Sequence, residues 1–202
     1  MKIDIFSHIS TPKYMEAMKK YGVDVRARVK ITTLWDMNER FRIMDRFDDL
    51  RQVVTPGGNP EAKTTPAQDA ELGRIANDEV AEIVARHPDR FVGAAALLPL
   101  RDIDETLKET DRAIKDLKFK GVHLPTPVYG KPIDRPEFMP LYEKMCHYDL
   151  PIWLHPVRPP LPEYPPGEEK SLYDMDLLWG WPLESTLAMT RLVMSNVMER
   201  FP

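Results

Sequence analysis

The stretch Asp149-Leu-Pro-Ile-Trp-Leu-His155-Pro156 is a short apolar strand that ends in a histidine. The start of the chain, Met1-Lys-Ile-Asp-Ile-Phe-Ser-His8-Ile9, follows the same plan. In both segments a strand-length apolar run brings an imidazole to the place where the strand should stop. Neutral imidazole is a common protein ligand of zinc and related metals. Two such strand ends predict an enzyme with a metal at the carboxyl-terminal edge of a parallel sheet.

Strand and helix patterns alternate along the rest of the chain. The strand patterns cover residues 2–8, 51–55, 91–98, 121–124 and 151–155, and the helix patterns cover 12–21, 37–47, 68–86, 103–118, 136–148 and 181–200. The continuously apolar run at 91–98 is typical of a parallel strand that is covered on both faces. About five β-α units in succession predict an α/β protein with a parallel sheet and right-handed crossovers. An irregular insertion is expected around residues 10–36, and a proline-rich loop at 157–180.

Composition excludes several classes of function. The chain has 202 residues, enough for one sizeable domain or a large part of a bigger one. Its 28 basic and 32 acidic residues give a net charge of −4, so no electrostatic case exists for nucleic acid or an anionic membrane. The single cysteine suits a reducing compartment, and neither a membrane span nor a signal peptide is visible. We therefore expect a cytoplasmic protein with a small-molecule partner.

Short phrases spread along nearly the whole chain carry a more specific message. They are Ile3-Asp-Ile-Phe-Ser-His8, Asn77-Asp-Glu79, Arg86-His-Pro-Asp-Arg-Phe91, Leu98-Pro-Leu100, Lys120-Gly-Val122, Gly130-Lys-Pro132, Leu150-Pro-Ile-Trp-Leu-His-Pro156, Trp181-Pro-Leu-Glu-Ser-Thr-Leu-Ala188 and Met198-Glu-Arg-Phe-Pro202. In this order they resemble the amidohydrolase-2 family, whose best-known type is aminocarboxymuconate-semialdehyde decarboxylase. The resemblance implies a (β/α)8 TIM barrel, here one domain over residues 1–202. It also implies one divalent metal, usually zinc, and nonoxidative decarboxylation of a small carboxylate.

Two departures from the family pattern bear on the metal. The family's first strand ends in His-X-His or Glu-X-His, whereas this chain has Phe6-Ser7-His8. Strict alternation puts Asp4, Phe6 and His8 on one face of the strand, and phenylalanine has no lone pair to offer. The family's later ligands, a histidine and an aspartate, lie on strands beyond Pro202, as do its proton-transfer groups. We therefore expect a barrel truncated after about five β-α units, with His8 and His155 as the remaining metal ligands.

These departures predict weak zinc binding or none, because a catalytic zinc site uses three or more protein ligands. They also leave strand edges open, since five strands cannot close an eight-stranded barrel. Open edges of parallel strands pair with other chains. A homo-oligomer or a complementing chain is expected for this reason.

Three further residues are candidates for substrate binding. Arg28 stands seven residues before Trp35, at the spacing where the resemblance implies an arginine that grips a substrate carboxylate. A guanidinium suits that role because it binds carboxylate through two hydrogen bonds, although a solvated loop cation is the plainer interpretation. His123 ends the fourth strand, where it is a substrate contact, a substitute metal ligand or a hydrogen-bonded rim residue. Tyr173 falls near an aromatic position that lines the family's pocket.

Three functions remain open on the sequence. The first is a metal-dependent decarboxylase, and the second is a metal-dependent hydrolase of the same superfamily. Residues 26–35 and 157–180 would distinguish these two, because they form the substrate loops. The third is a noncatalytic half-barrel, degenerate or fragmentary, which Phe6 and the end of the chain at Pro202 favour.

Overall fold

The computed structural model describes residues 1–24, 30–57, 64–157 and 173–202 of the chain. Its centre is one parallel sheet of five strands in the sequential order β1-β2-β3-β4-β5. The strands are β1 (Lys2–Ile9), β2 (Leu50–Pro56), β3 (Phe91–Leu97), β4 (Gly121–Thr126) and β5 (Ile152–Pro156). Sequential order in a parallel sheet requires a crossover between each pair of strands, as the alternating pattern predicts.

Seven α-helices occur in the described residues. They are α1 (Pro12–Lys20), α2 (Met37–Met44), α3 (Pro66–Arg86), α4 (Ile103–Lys115), α5 (Met139–Tyr148), α6 (Trp181–Met194) and α7 (Val197–Arg200). Thr32–Leu34 and Pro136–Phe138 are 3-10 turns, and Asp176–Gly180, inside the predicted loop at 157–180, is a π-helical turn. The single helix predicted at 181–200 is interrupted at Asn196, which adopts a left-handed conformation that asparagine tolerates better than most residues.

Local sequence explains where the longest helix begins. Thr65 caps α3 by accepting from the amide of Gln68, and the Gln68 side chain accepts from the Thr65 amide in return. This reciprocal pair satisfies two backbone donors that the first helical turn leaves open. Pro66 follows at the first helical position, where its fixed backbone angle suits a helix and its missing N–H is not needed.

The chain divides into two compact units. The first unit is Met1–His123 with Asp149–Trp153, and the second is Leu124–Tyr148 with Leu154–Pro202. The prediction of a single domain over residues 1–202 stays a prediction.

The first unit has an apolar core between α1, α3 and the end of β3. Its buried members are Tyr14, Met15, Ala17, Met18, Val23, Leu72, Ala76 and Leu97. Asn77 is fully buried beside them and bonds both the N–H and the C=O of Leu97, each at 2.9 Å. Its amide also donates to Glu109 of α4 at 2.6 Å. One side chain thus joins two helices to the end of a strand.

A tryptophan side chain links the two end strands within the first unit by a hydrogen bond. The indole N–H of Trp153 on β5 donates to the carbonyl of Ile5 on β1, at 2.6 Å. The Trp153 ring and the Pro151 carbonyl leave no space for a β-carbon on Gly121 of β4. Glycine is therefore required at the start of β4 by this close approach.

The second unit combines buried apolar side chains, such as Leu141 and Leu192, with polar contacts, and it also carries many exposed apolar side chains. Arg191 of α6 forms two hydrogen bonds to Asp134, at 2.7 and 2.9 Å. The Tyr142 hydroxyl donates to the Ile133 carbonyl at 2.8 Å. The exposed apolar residues on α6 and α7 are Leu183, Leu187, Met189, Val193, Met194 and Met198. Within the described ranges, no helix has the length and hydropathy needed to span a membrane.

Candidate active site

Three rings meet inside the first unit. Phe6 and His8 of β1 and His123 of β4 have ring centroids 5.4 Å (Phe6–His8), 6.1 Å (Phe6–His123) and 6.0 Å (His8–His123) apart. We refer to these three residues as the ring cluster. Strands β1 and β4 are not neighbours in the sheet, so these side chains meet without adjacent strands bringing them together. His123 is only 4% exposed, whereas Phe6 is 38% exposed. Two of the predicted site residues, His8 and His123, are thus brought together.

An irregularity in β1 determines the face on which the side chains of Phe6 and His8 lie. The pairing of β1 with β2 shifts register between Asp4 and Ser7, as a β-bulge does. Asp4 accepts a hydrogen bond from the Ser7 hydroxyl at 2.5 Å, and another from the Phe6 amide at 3.1 Å. The Asp4 side chain therefore contacts Ser7. The strict alternation that puts Asp4 on the same face as His8 does not hold here.

Thr55 orients the imidazole of His8. These two residues pair across β1 and β2, and the His8 Nδ1 lies 2.8 Å from the Thr55 hydroxyl oxygen. Thr55 is fully buried and His8 is half-buried, so the bond is partly shielded from solvent. Sequence reasoning missed this residue, although a hydroxyl at the end of an apolar strand, level with His8, is a detectable pattern.

A second missed residue, Arg40 of α2, lies behind β1. Its guanidinium donates to the His8 carbonyl, to the Thr33 carbonyl at 3.0 Å and to the Gln52 side-chain oxygen at 2.7 Å. Burial lowers the pKa of Arg40 to about 10, and the charge of Asp4 opposes this shift. The sequence signal that could have identified Arg40 is its spacing. It stands four residues before Met44, which is buried, so the two side chains lie on the same inner face of α2.

The second unit holds the other predicted ligand, His155, at the end of β5. Its ring makes an edge contact with Trp181 at 5.5 Å between centroids. Burial lowers the pKa of His155, while hydrogen bonds with backbone act in the opposite direction. A lowered pKa favours the neutral imidazole, the form that binds metals and accepts protons. One helical turn after Trp181, burial raises the pKa of Glu184.

The remaining predicted site residues are Tyr173 and Arg28. Tyr173 lies in the second unit and is 75% exposed. Arg28 falls outside the described residues, as does most of the predicted loop at 157–180.

The described side chains do not form a closed metal site. Among them, no group of three or more His, Cys, Asp or Glu residues is close enough to hold an ion. In the ring cluster, Phe6 packs against both imidazoles and offers no lone pair. The described residues therefore do not make the ligand set that a tightly bound divalent metal requires.

Comparisons with known proteins agree with the fold and identify the family. A family model described as "Amidohydrolase" matches residues 8–202. The 2-amino-3-carboxymuconate-6-semialdehyde decarboxylase of Dictyostelium discoideum is 25% identical over 222 residues, covering 100% of this chain and 60% of the relative. The gamma-resorcylate decarboxylase of Rhizobium radiobacter is 34% identical over 179 residues, covering 81% of this chain and 51% of the relative.

A solved structure gives the same result at the level of fold. A dihydroxybenzoic acid decarboxylase from Polaromonas, with bound manganese and the inhibitor 2-nitroresorcinol, superposes with a TM-score of 0.75 at 24% identity. The match covers 100% of this chain and 62% of that one. The chain thus spans between half and two thirds of the length of these proteins, and the predicted TIM-barrel type of fold is confirmed. By its sequence over residues 8–202, the chain belongs to the amidohydrolase family described by the matching model.

Proposed function

We propose that the protein catalyses the nonoxidative decarboxylation of a small aromatic carboxylate. The observation that carries this proposal is the 34% identity to a gamma-resorcylate decarboxylase over 81% of the chain. In such a reaction the bond between the ring carbon and the carboxylate breaks, carbon dioxide leaves, and a proton takes its place on the ring. Residues of this chain would bind the carboxylate and orient the ring.

The ring cluster suits part of this task. The imidazole N–H groups of His8 and His123 can donate hydrogen bonds to a carboxylate or phenol oxygen. The Phe6 ring supplies an apolar surface on which a planar substrate packs by offset or edge contact. Arg28 and Tyr173 remain proposed substrate-binding residues on the basis of the sequence alone.

A divalent metal is proposed as the cofactor of the whole protein, with His8 and His155 as ligands from this chain. Zinc is the ion that the family resemblance implies, and manganese is the ion bound in the Polaromonas structure. A cytoplasmic location and a homo-oligomer or complementing chain are proposed on the same sequence grounds as before.

The test is carbon dioxide release from gamma-resorcylate, with resorcinol as the second product, in the presence of Zn²⁺ or Mn²⁺. His8→Ala is expected to abolish release, and His155→Ala to do the same. His147→Ala is the matched control, because His147 is an exposed histidine at a helix end. Equal rates in all four proteins would remove the assigned residues from the site.

A second candidate is a noncatalytic half-barrel. Phe6 between two imidazoles, together with the incomplete metal set among the described residues, favours it. Absence of product with either metal, combined with unchanged binding of gamma-resorcylate in His8→Ala, would select this alternative.

A further inference from the structure

Arg40 is an unusual side chain for its position. It is only 5% exposed, and among the described residues its guanidinium contacts neutral acceptors alone: the carbonyls of His8 and Thr33 and the amide oxygen of Gln52. The charge of Asp4 acts on Arg40 without a direct bond, but burying a cation that no carboxylate contacts still costs folding free energy that an apolar residue would not. An arrangement with this cost indicates a role in shaping the site rather than in stabilising the fold.

One arm of the guanidinium acts on His8 directly. The His8 carbonyl accepts from Arg40, while the His8 ring is bonded to Thr55. The same guanidinium holds Thr33 of the 3-10 turn, whose neighbour Leu34 accepts from the Ser10 amide at 2.7 Å. The peptide of His8 is thereby fixed from the helix side, and its imidazole from the strand side.

The other arm acts on Phe6 through two intermediates. Arg40 donates to the oxygen of the Gln52 amide, which turns the Gln52 NH₂ group toward Asp4, where it donates at 3.1 Å. Asp4 in turn accepts from the Phe6 amide and the Ser7 hydroxyl. The order of these bonds follows from chemistry, since an amide can face a cation only with its oxygen.

The arm through Gln52 and Asp4 ends on the irregular segment of β1, and the other arm ends at His8, one residue after it. A one-residue slip in a strand sends every following side chain to the opposite face. The register shift between Asp4 and Ser7 therefore decides whether Phe6 and His8 point toward His123. Asp4, which accepts the bonds from Phe6 and Ser7 at this shift, is connected through Gln52 to Arg40 on α2.

We propose that Arg40 is the positioning residue of the ring cluster, holding His8 through its carbonyl and Phe6 through Gln52 and Asp4. The proposal rests on the proposed function only in that His8 is a binding residue there. The positioning itself does not depend on substrate or metal.

The test is nuclear magnetic resonance of the whole chain without metal or ligand. The contacts within the ring cluster predict nuclear Overhauser cross-peaks between Phe6, His8 and His123. We expect Arg40→Met to lose these cross-peaks while the remaining spectrum stays dispersed. Arg42→Met is the matched control, because Arg42 lies on the same helix, is exposed and, within the described part of the chain, pairs only with Glu39 at the surface. A folded Arg40→Met protein that keeps every cross-peak would overturn the proposal.

Gln52→Glu decides the matter if Arg40→Met does not fold. A carboxylate at position 52 still accepts from Arg40 but cannot donate to Asp4, so the path to Phe6 is cut while Arg40 stays bonded. Loss of the Phe6 cross-peaks, with those between His8 and His123 retained, supports the proposal. Unchanged Phe6 cross-peaks contradict it. A lower melting temperature alone is what a purely structural role would produce. Because no substrate is present, failure here is separate from failure of the decarboxylase assay.

Discussion

Strands β3 and β1 belong to one sheet but are held in place by different forces. β3 has neighbours on both sides, and Ala94, Ala95 and Ala96 are fully buried. β1 ends the sheet, and its Ile3 and Ile5 are 45% and 61% exposed. Packing covers most of β3, with one polar side chain, Asn77, bonded at its end, whereas hydrogen bonds from polar and charged side chains hold the irregular part of β1. The comparison teaches that a site residue can depend more on a distant polar partner than on the strand that carries it.

The largest loss of stability is expected at Asn77 of α3, whose side chain bonds the end of β3. Asn77→Leu leaves the N–H and C=O of Leu97 and the carboxylate of Glu109 buried without the amide. The free energy of unfolding should fall by about 3 kcal/mol, since each buried group keeps its desolvation cost. Urea unfolding measures this. Asp78→Ala is the control, because Asp78 is half exposed and pairs with Arg112 at the surface. A loss below about 1 kcal/mol would show that packing alone holds β3.

A gain of metal affinity is expected on β1. Phe6→His adds an imidazole to β1 two residues from His8, at a position whose ring already contacts both His8 and His123 of β4. Zinc should then bind at least about tenfold more tightly, which is about 1.4 kcal/mol. Calorimetric titration compares this variant with the unmodified protein and with Phe47→His, an exposed control. Equal affinities for all three would mean that the ring cluster is not adjacent to a metal position.

A smaller effect is expected from the hydroxyl that orients His8. Thr55→Val keeps the shape of the side chain and removes the bond to His8 Nδ1, so stability should fall by about 1 kcal/mol. Thr186→Val, on the exposed side of α6, removes a comparable hydroxyl and should have almost no effect. Thermal unfolding compares the two. If both variants lose the same stability, the Thr55 bond has no special weight.

The smallest effect is a dependence on pH in the second unit. Hydrogen bonds from Arg191 lower the pKa of Asp134. The stabilisation is therefore fully present above the unfolded pKa of about 3.9, and it is lost as pH falls through the lowered pKa. Because Arg191 is half exposed, its size should stay below about 1 kcal/mol. Urea unfolding at pH 7 and pH 3 should show a steeper loss in the unmodified protein than in Asp134→Asn. Parallel losses would contradict the ion pair.

The strands and most helices could be predicted because their determinants are local. The run Phe91–Leu97 is apolar throughout, and such a run has few alternatives to a covered parallel strand. The end of α6 could not be placed in the same way. The helix pattern continues to Arg200, and only the left-handed backbone of Asn196 interrupts it.

Only part of the candidate site could be predicted, because only some of its determinants are local in the sequence. His8 and His123 stand at strand ends, and the positions of strand ends follow from the apolar pattern. The face to which β1 turns depends on the shift between Asp4 and Ser7, which alternation cannot show. Arg40 lies 32 residues from His8, and a cation on an amphipathic helix is normally solvated. The hydrogen bond from Arg40 to the His8 carbonyl could therefore not be predicted from the sequence.

The bond from Trp153 to Ile5 has a consequence for the order of folding. It joins residues 148 positions apart, so almost the whole described sheet must assemble before it can form. Contacts of such long sequence separation carry a large loop-closure entropy and form late. Trp153 is therefore expected to be a kinetic reporter of sheet completion. In stopped-flow refolding, the fluorescence change lost in Trp153→Phe should be the slowest phase, later than the helical circular dichroism signal.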